Sequence, residues 1–215
     1  MIRIVAVSGN KNSGKTTLCR KLLKELELMG IRVGYVKRTS DEVLSKKETD
    51  SGSVSDMGIG AVLWGKDGLR CELPSSEMIS PYYIASSYFP DAEIIILEGG
   101  KNLPLPKIWV RTEGESQPEY PGIIMNYDRV GNKDGDLVFC EGEERQMALR
   151  LASMVRGKAY RSTKIYFGDS PFPMKDFIAD FIRNSILGML ASLKGGNNAE
   201  KTIRIYIDGS TERKK

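Results

Sequence analysis

Residues 9–16 read GNKNSGKT, a run that satisfies G-x-x-x-x-G-K-[ST] at every fixed place. The residue types suit one task, holding a polyphosphate. Gly9 and Gly14 permit the backbone angles that turn successive amides inward, and those amides with the helix N-terminus beyond them attract negative charge. Asn12 and Ser13 are small and polar and let a phosphate chain approach. Lys15 is placed to reach the β- and γ-phosphates, and the Thr16 hydroxyl to ligate Mg²⁺. Lys11 either adds charge from the loop or is a solvated lysine. A magnesium-dependent phosphate loop also needs an acid at the end of a neighbouring strand. IIILEGGK (94–101) offers Glu98, which follows four apolar residues and precedes two glycines. Glu98 is therefore the predicted partner of Lys15 in catalysis and of Thr16 at the metal, the alternative being a strand-end carboxylate paired with a lysine. Asp50, on a polar stretch after the second strand, is the other metal candidate. Lys37 and Lys101 either add phosphate contacts or are surface cations.

Other chemistries are excluded by composition. The chain of 215 residues has no histidine, which removes histidine bases, catalytic triads and histidine metal ligands. Its three cysteines, Cys19, Cys71 and Cys140, are odd in number and widely spaced, so no disulfide framework or zinc site is suggested, and a reducing cytoplasm is the expected compartment. Cys19 reads as core. A formal charge of +4 without a dominant Lys/Arg run suits small anions and gives no ground for nucleic acid. No segment approaches the ~18 apolar residues of a spanning helix, so no membrane is expected.

The elements that must position these groups follow from periodicity. IRIVAV (2–7) reads as a strand buried on both faces, and LCRKLLKELELM (18–29) has leucines at helical spacing, stopped by Gly30. RVGYVK (32–37) is a second strand, and this strand–loop–helix–strand unit seeds a parallel sheet. Residues 40–58 read as a long polar loop. AVLW (61–64) and LRCEL (69–73) read as a hairpin, and Pro81 opens a helix to about Phe89. EIIIL (93–97), KIWVR (107–111), GIIMN (122–126) and DLVFC (136–140) are further strands, with an edge strand near 107–126 that suits a dimer and equally a covered edge, and a helix covers roughly 142–156. NKDGD (132–136) reads as a polar turn, since its acids miss the spacing of N-K-x-D. RGKAYRS (156–162) reads as a linker. Beyond it come a strand (163–168), an amphipathic helix (174–193), a break at GGNN (195–198), a closing strand (202–208) and a solvated TERKK tail. The predicted fold is α/β, a P-loop NTPase-like, mostly parallel sheet flanked by helices, with a small C-terminal β-α-β extension. The predicted domains are 1–156, nucleotide-binding, and 160–215, the extension.

Three stretches, VSGNKNSGKTTL, GIRVGYVKRT and IIILEGGKNLPLPKIWVR, resemble the molybdopterin-guanine dinucleotide biosynthesis protein B family, MobB, over residues 1 to about 111. The resemblance implies a GTP-binding homodimer with at best weak GTPase activity that assists MobA, the enzyme attaching GMP to molybdopterin. By position it implies phosphate contacts from Gly9, Asn10, Lys11, Asn12, Ser13, Gly14, Lys15, Thr16 and Thr17. It also implies an acid at Glu98, an Asp-Ser pair at Asp50 and Ser51, and a P-K-I motif at Pro106, Lys107 and Ile108. The chain departs from the family where Arg38 replaces a His after the second strand's lysine, and where Gly100 replaces a Phe after Glu-Gly. Two other readings stay open at this point. One is an ATP-dependent small-molecule or nucleoside kinase, with 38–58 as its lid. The other is an adaptor whose loop is ordered by nucleotide to dock a partner.

Overall fold

The computed structural model describes residues 3–75, 79–112, 115, 120–131, 137–156, 163–168, 170–193, 203–205 and 207. The elements in chain order are β1 (Arg3–Gly9), α1 (Lys15–Leu28), β2 (Val33–Lys37), α2 (Asp50–Asp56), β3 (Ala61–Trp64) and β4 (Leu69–Glu72). They continue with α3 (Pro81–Tyr88), β5 (Ile94–Glu98), β6 (Lys107–Arg111), β7 (Ile123–Asp128), β8 (Val138–Cys140), α4 (Glu144–Arg156), β9 (Tyr166–Phe167), β10 (Ser170–Pro171) and α5 (Asp176–Ala191). Two compact units result. One comprises residues 1–160 with 166–171, the other 161–165 with 172–215.

The first unit is built on a six-stranded sheet in the order β2-β5-β1-β6-β7-β8, parallel at every pairing. Apolar runs such as IVAV and IIIL belong in such a sheet because both faces are covered. Side chains alternate across it. Val5, Val7, Ile94 and Ile96 pack with Leu18, Leu22 and Leu26 of α1 and Met147 and Leu151 of α4. Ile4, Ala6, Ile95 and Leu97 pack on the other face with Ala85 of α3, Leu103 and Leu105. By this parity Glu98 falls on the face that α1 covers. Glu144 joins three elements there, accepting from Lys21 Nζ of α1 at 2.7 Å and from Tyr127 Oη of β7 at 2.7 Å. Cys19 is fully buried in this core, as its helical position implies.

Three expectations need correction. The segment 107–126 holds no sheet edge: β6 lies between β1 and β7, and β7 between β6 and β8, so β2 and β8 carry the edges. Residues 40–58 are not all loop, because α2 occupies Asp50–Asp56. The Thr49 hydroxyl caps it by accepting from Gly52 N at 3.1 Å, and Asp50 adds a first-turn acid. A buried carboxylate also holds this segment: Glu72 of β4 accepts from Ser45 Oγ at 2.6 Å and Ser55 Oγ at 3.3 Å. Hydrophobic periodicity gives no sign of a helix anchored by polar contacts. In the tail, the expected 163–168 strand shrinks to Tyr166–Phe167, which pairs with Ser170–Pro171. Residues 203–205 and 207 form no strand, although 202–208 reads as one. A strand forms only where a neighbour supplies its ladder, and among the described residues none pairs with 203–205 or 207. The expected 174–193 helix appears as α5, and the 61–73 hairpin as β3 and β4. The polar turn at 132–136, linker residues 157–162, the GGNN break and the TERKK tail lie outside the described residues.

Candidate phosphate-binding site

β1 delivers the loop. At Gly9 (φ 153°) a Cβ would stand 2.5 Å from Val110 O of β6, so only glycine allows the two strands to approach there. Asn12 (φ 62°) and Gly14 (φ 93°) also take left-handed angles, which curl the chain into a concave run of amides. Gly14 is the N-cap of α1; no side chain caps this helix and its first turn holds no acid. The amides of Lys15, Thr16 and Thr17 are therefore left unpaired by helix geometry, at the end where the dipole favours an anion. Lys15 Nζ folds back over the loop, donating to Asn10 O and, at 3.4 Å, to Ser13 Oγ. Partial burial lowers its pKa and Glu98 opposes that shift. Ser13 is buried; Lys11, Thr16 and Thr17 are exposed.

The strand register brings the second group in. Val7 of β1 and Lys37 of β2 both lie opposite Glu98 at the end of β5. Glu98 is buried, yet three groups from two elements, α1 and β2, meet on it. Thr16 Oγ1 donates to Oε1 at 2.7 Å, Tyr35 Oη donates to Oε2 at 2.6 Å, and Lys37 Nζ lies 3.6 Å from Oε1. Burial alone would raise its pKa, but the bonds from Tyr35 and Thr16 and the Lys37 charge outweigh that and hold the carboxyl below its usual range. The same bond and burial raise the Tyr35 phenol. The structure thus brings Lys15, Thr16 and Glu98 together. The carboxylate that meets Thr16 also pairs with a lysine, Lys37.

Asp50 stands apart: it is exposed at the start of α2, and among the described residues no hydrogen bond or ion pair joins it to Thr16 or Glu98. Lys101 is exposed, its Nζ 5.9 Å from the Tyr120 ring centroid. Within the P-K-I motif, Lys107 is fully buried and donates to Leu103 O at 3.0 Å and Pro121 O at 2.7 Å. It pins the turn after Glu98 to the segment entering β7, and burial lowers its pKa.

A family model described as "Molybdopterin guanine dinucleotide synthesis protein B" matches residues 4–122, more than half the chain. The chain belongs to the MobB family. A molybdopterin-guanine dinucleotide biosynthesis adapter protein of Haemophilus influenzae is 30% identical over 122 residues, covering 54% of this chain and 67% of that protein. A putative adapter of the same name from Methanocaldococcus jannaschii is 24% identical and spans 97% of this chain and 99% of its own length. Among solved structures, the MobB homologue from Bacillus stearothermophilus superposes with a TM-score of 0.54 at 22% identity, covering 72% of this chain and 99% of that one. Bacillus subtilis MobB gives 0.55 at 20% identity, with 73% and 100% covered. At these identities the solved structures speak for the fold, the parallel α/β sheet that MobB proteins share with this chain.

Within this MobB framework, sequence reasoning missed Tyr35 and Glu115 and did not place Lys37 on Glu98. Tyr35 and Lys37 lie two apart on one strand, so they share a face, but only the pairing of β2 with β5 aims that face at Glu98. Glu115 accepts from Asn10 Nδ2 at 3.0 Å, from Trp109 Nε1 at 3.2 Å and from Thr112 N and Oγ1 at 2.9 and 2.8 Å. It ties the phosphate loop to the segment after β6. No motif marks it, because 105 residues separate it from Asn10.

Proposed function

We propose that this chain is the adapter of molybdopterin guanine dinucleotide synthesis and acts as a Mg²⁺-dependent GTP-binding protein. The observation that carries this reading is the uncapped start of α1, with Lys15 folded over the loop and Thr16 hydrogen-bonded to Glu98. Amides 15–17 and Lys15 would hold the phosphates. Thr16 and Glu98 would hold Mg²⁺, directly or through its waters, and Asp50 is the second candidate acid. Among the described residues no three Cys, Asp or Glu side chains gather into a metal cage, so phosphate and water oxygens would complete the coordination. When bound, the ion neutralises charge on the β- and γ-phosphates. The choice of guanine rests on the family's role.

Hydrolysis is weak or awaits a partner, because no histidine base exists and Glu98 is engaged by Thr16, Tyr35 and Lys37. The partners are a second copy of this chain, a MobA-type guanylyltransferase and molybdopterin, in the cytoplasm. Residues 1–156 form the nucleotide-binding domain and 160–215 the extension. No helix among the described residues is long and apolar enough to cross a membrane. The test is a calorimetric titration of the full chain with GTP and with ATP, each with Mg²⁺. GTP is expected to bind the more tightly, and Lys15→Ala to abolish binding while leaving the circular dichroism spectrum intact. Tighter ATP binding would favour the kinase reading, and retained tight binding in the alanine variant would overturn the site.

A further inference from the structure

Beside the phosphate loop stands a cation that the site described above does not use. Arg129 directly follows β7. Where a Cβ on Gly14 would stand, the Cδ of Arg129 lies 3.1 Å away, its Nη1 3.2 Å and its Nε 3.5 Å. The side chain therefore lies across the N-cap of α1, over a residue that has no side chain of its own. Its aim follows from the strand. Met125 and Tyr127 of β7 pack in the core that α1 covers, so the next residue of the same parity leaves the sheet on that face, at the end where α1 begins. Asp128 accepts from Val130 N at 2.8 Å and from Gly131 N at 3.2 Å, which turns the chain as soon as Arg129 has left the sheet. Arg129 is exposed, and among the described residues no hydrogen bond or ion pair engages its guanidinium. Lys21, one turn beyond Thr17 on α1, is by contrast paired with Glu141 at 3.1 Å and with Glu144 at 2.7 Å.

Sheet order says which end of a nucleotide reaches this cation. Thr16 meets Glu98 on the β5 side of β1, and Tyr35 and Lys37 of β2 fill the space beyond. β6 and β7 lie on the opposite flank of β1. At the usual strand spacing β7 stands about 10 Å from β1. Terminal phosphates held by Lys15 and Thr16 thus leave the sugar and base to run toward β6 and β7. There Arg129 presents a planar cation, a group that stacks on aromatic faces. We propose that Arg129 holds the nucleoside end of the bound nucleotide, its guanidinium plane lying against the purine ring. The inference deepens the nucleotide-binding reading given above and rests on it. Every base has a face to stack on, so this contact adds affinity for a nucleoside and leaves the choice of guanine to other groups.

The test is calorimetric titration of the full chain with Mg²⁺, using GTP and inorganic tripolyphosphate as separate ligands. Arg129→Ala should weaken GTP about 5–150-fold, the loss of one stacked base, and leave tripolyphosphate binding and the unfolding midpoint unchanged. Arg129→Lys keeps the charge but not the plane, and should lose nearly as much GTP affinity as the alanine variant. Equal losses for GTP and tripolyphosphate, or full rescue by lysine, would make Arg129 a phosphate-binding cation and overturn the stacking contact. An alanine variant that binds GTP as the wild type does would overturn it as well. Wild type that binds tripolyphosphate as tightly as GTP would keep the phosphate loop and overturn the nucleoside contact alone. Wild type that binds neither ligand would overturn the phosphate site and the Arg129 contact with it.

Discussion

Replacing Glu98 by glutamine isolates the charge of the acid proposed to hold Mg²⁺ while nearly keeping its shape. The carboxylate accepts hydroxyl hydrogen bonds at 2.7 Å from Thr16 and 2.6 Å from Tyr35 and faces Lys37 at 3.6 Å. Bonds to a charged acceptor are worth about 1.5–3 kcal/mol and neutral ones about 0.5–1.5. Glutamine offers one acceptor and one NH₂ donor, so one bond becomes neutral and the other hydroxyl must turn to accept from the amide, which together costs about 2 kcal/mol, partly offset because a neutral amide is cheaper to bury. The fold should therefore survive with a lower urea midpoint. Binding should divide by condition. With millimolar Mg²⁺, loss of the anionic partner of Thr16 should weaken GTP about 10–100-fold, the range seen when groups supporting a metal ligand are removed. With EDTA, GTP affinity should hold or rise, because one negative charge leaves the neighbourhood of the phosphates. The assay is a pair of calorimetric titrations on each protein. Equal losses in Mg²⁺ and in EDTA would refute the reasoning and move the metal role to Asp50.

Gly9→Ala should damage the loop without touching its charges: the new Cβ would meet Val110 O at 2.5 Å, a strain of about 1–3 kcal/mol. Thermal unfolding should show a Tm lowered by about 5 °C and titration at least a tenfold loss of GTP affinity; an unchanged Tm would mean that β1 and β6 can part freely. Acid should weaken the first unit through Glu144. Burial pushes its carboxyl up, but bonds from Lys21, Tyr127 and the Gly142 amide bring it from 4.5 to about 2. A pKa lowered by folding stabilises at pH above the unfolded value and is lost as pH falls through the folded one. About 3 kcal/mol should thus disappear between pH 4.5 and 2. Glu144→Gln should be less stable than wild type at pH 7 and lose less between pH 5 and 3; parallel urea midpoints across that range would refute the assignment.

Local pattern was enough wherever one stretch of chain carries its own signal. GNKNSGKT could be read as a phosphate loop because its chemistry is in its own backbone and side chains. IIILE could be read as a buried strand ending on an acid because four apolar residues in a row have few other uses. Neither depended on knowing its neighbours, and both stand where expected. The strand order, the edges, and the meeting of Tyr35, Lys37 and Thr16 on Glu98 were not readable. They depend on β2 pairing with β5, whose partners are separated by about 60 residues. The helix at Asp50–Asp56 escaped for a related reason: Glu72 holds it through Ser55, and the segment before it through Ser45, instead of through an apolar face. The strand expected over 202–208 was over-read, since alternation states which residues want cover and not whether a neighbouring strand supplies it.

By itself, then, the sequence determined that a glycine-rich G-x-x-x-x-G-K-T loop follows the first strand, that the sheet is parallel and buried, and that histidine chemistry is absent. These properties belong to residue types and short spacings, which the covalent chain carries wherever it goes. Only the tertiary structure decided which side chains surround Glu98, that Glu115 tethers Asn10, and that Lys107 is a buried pin. Those contacts join residues far apart in the chain, and strand pairing and helix packing, not spacing, bring them within a few ångströms.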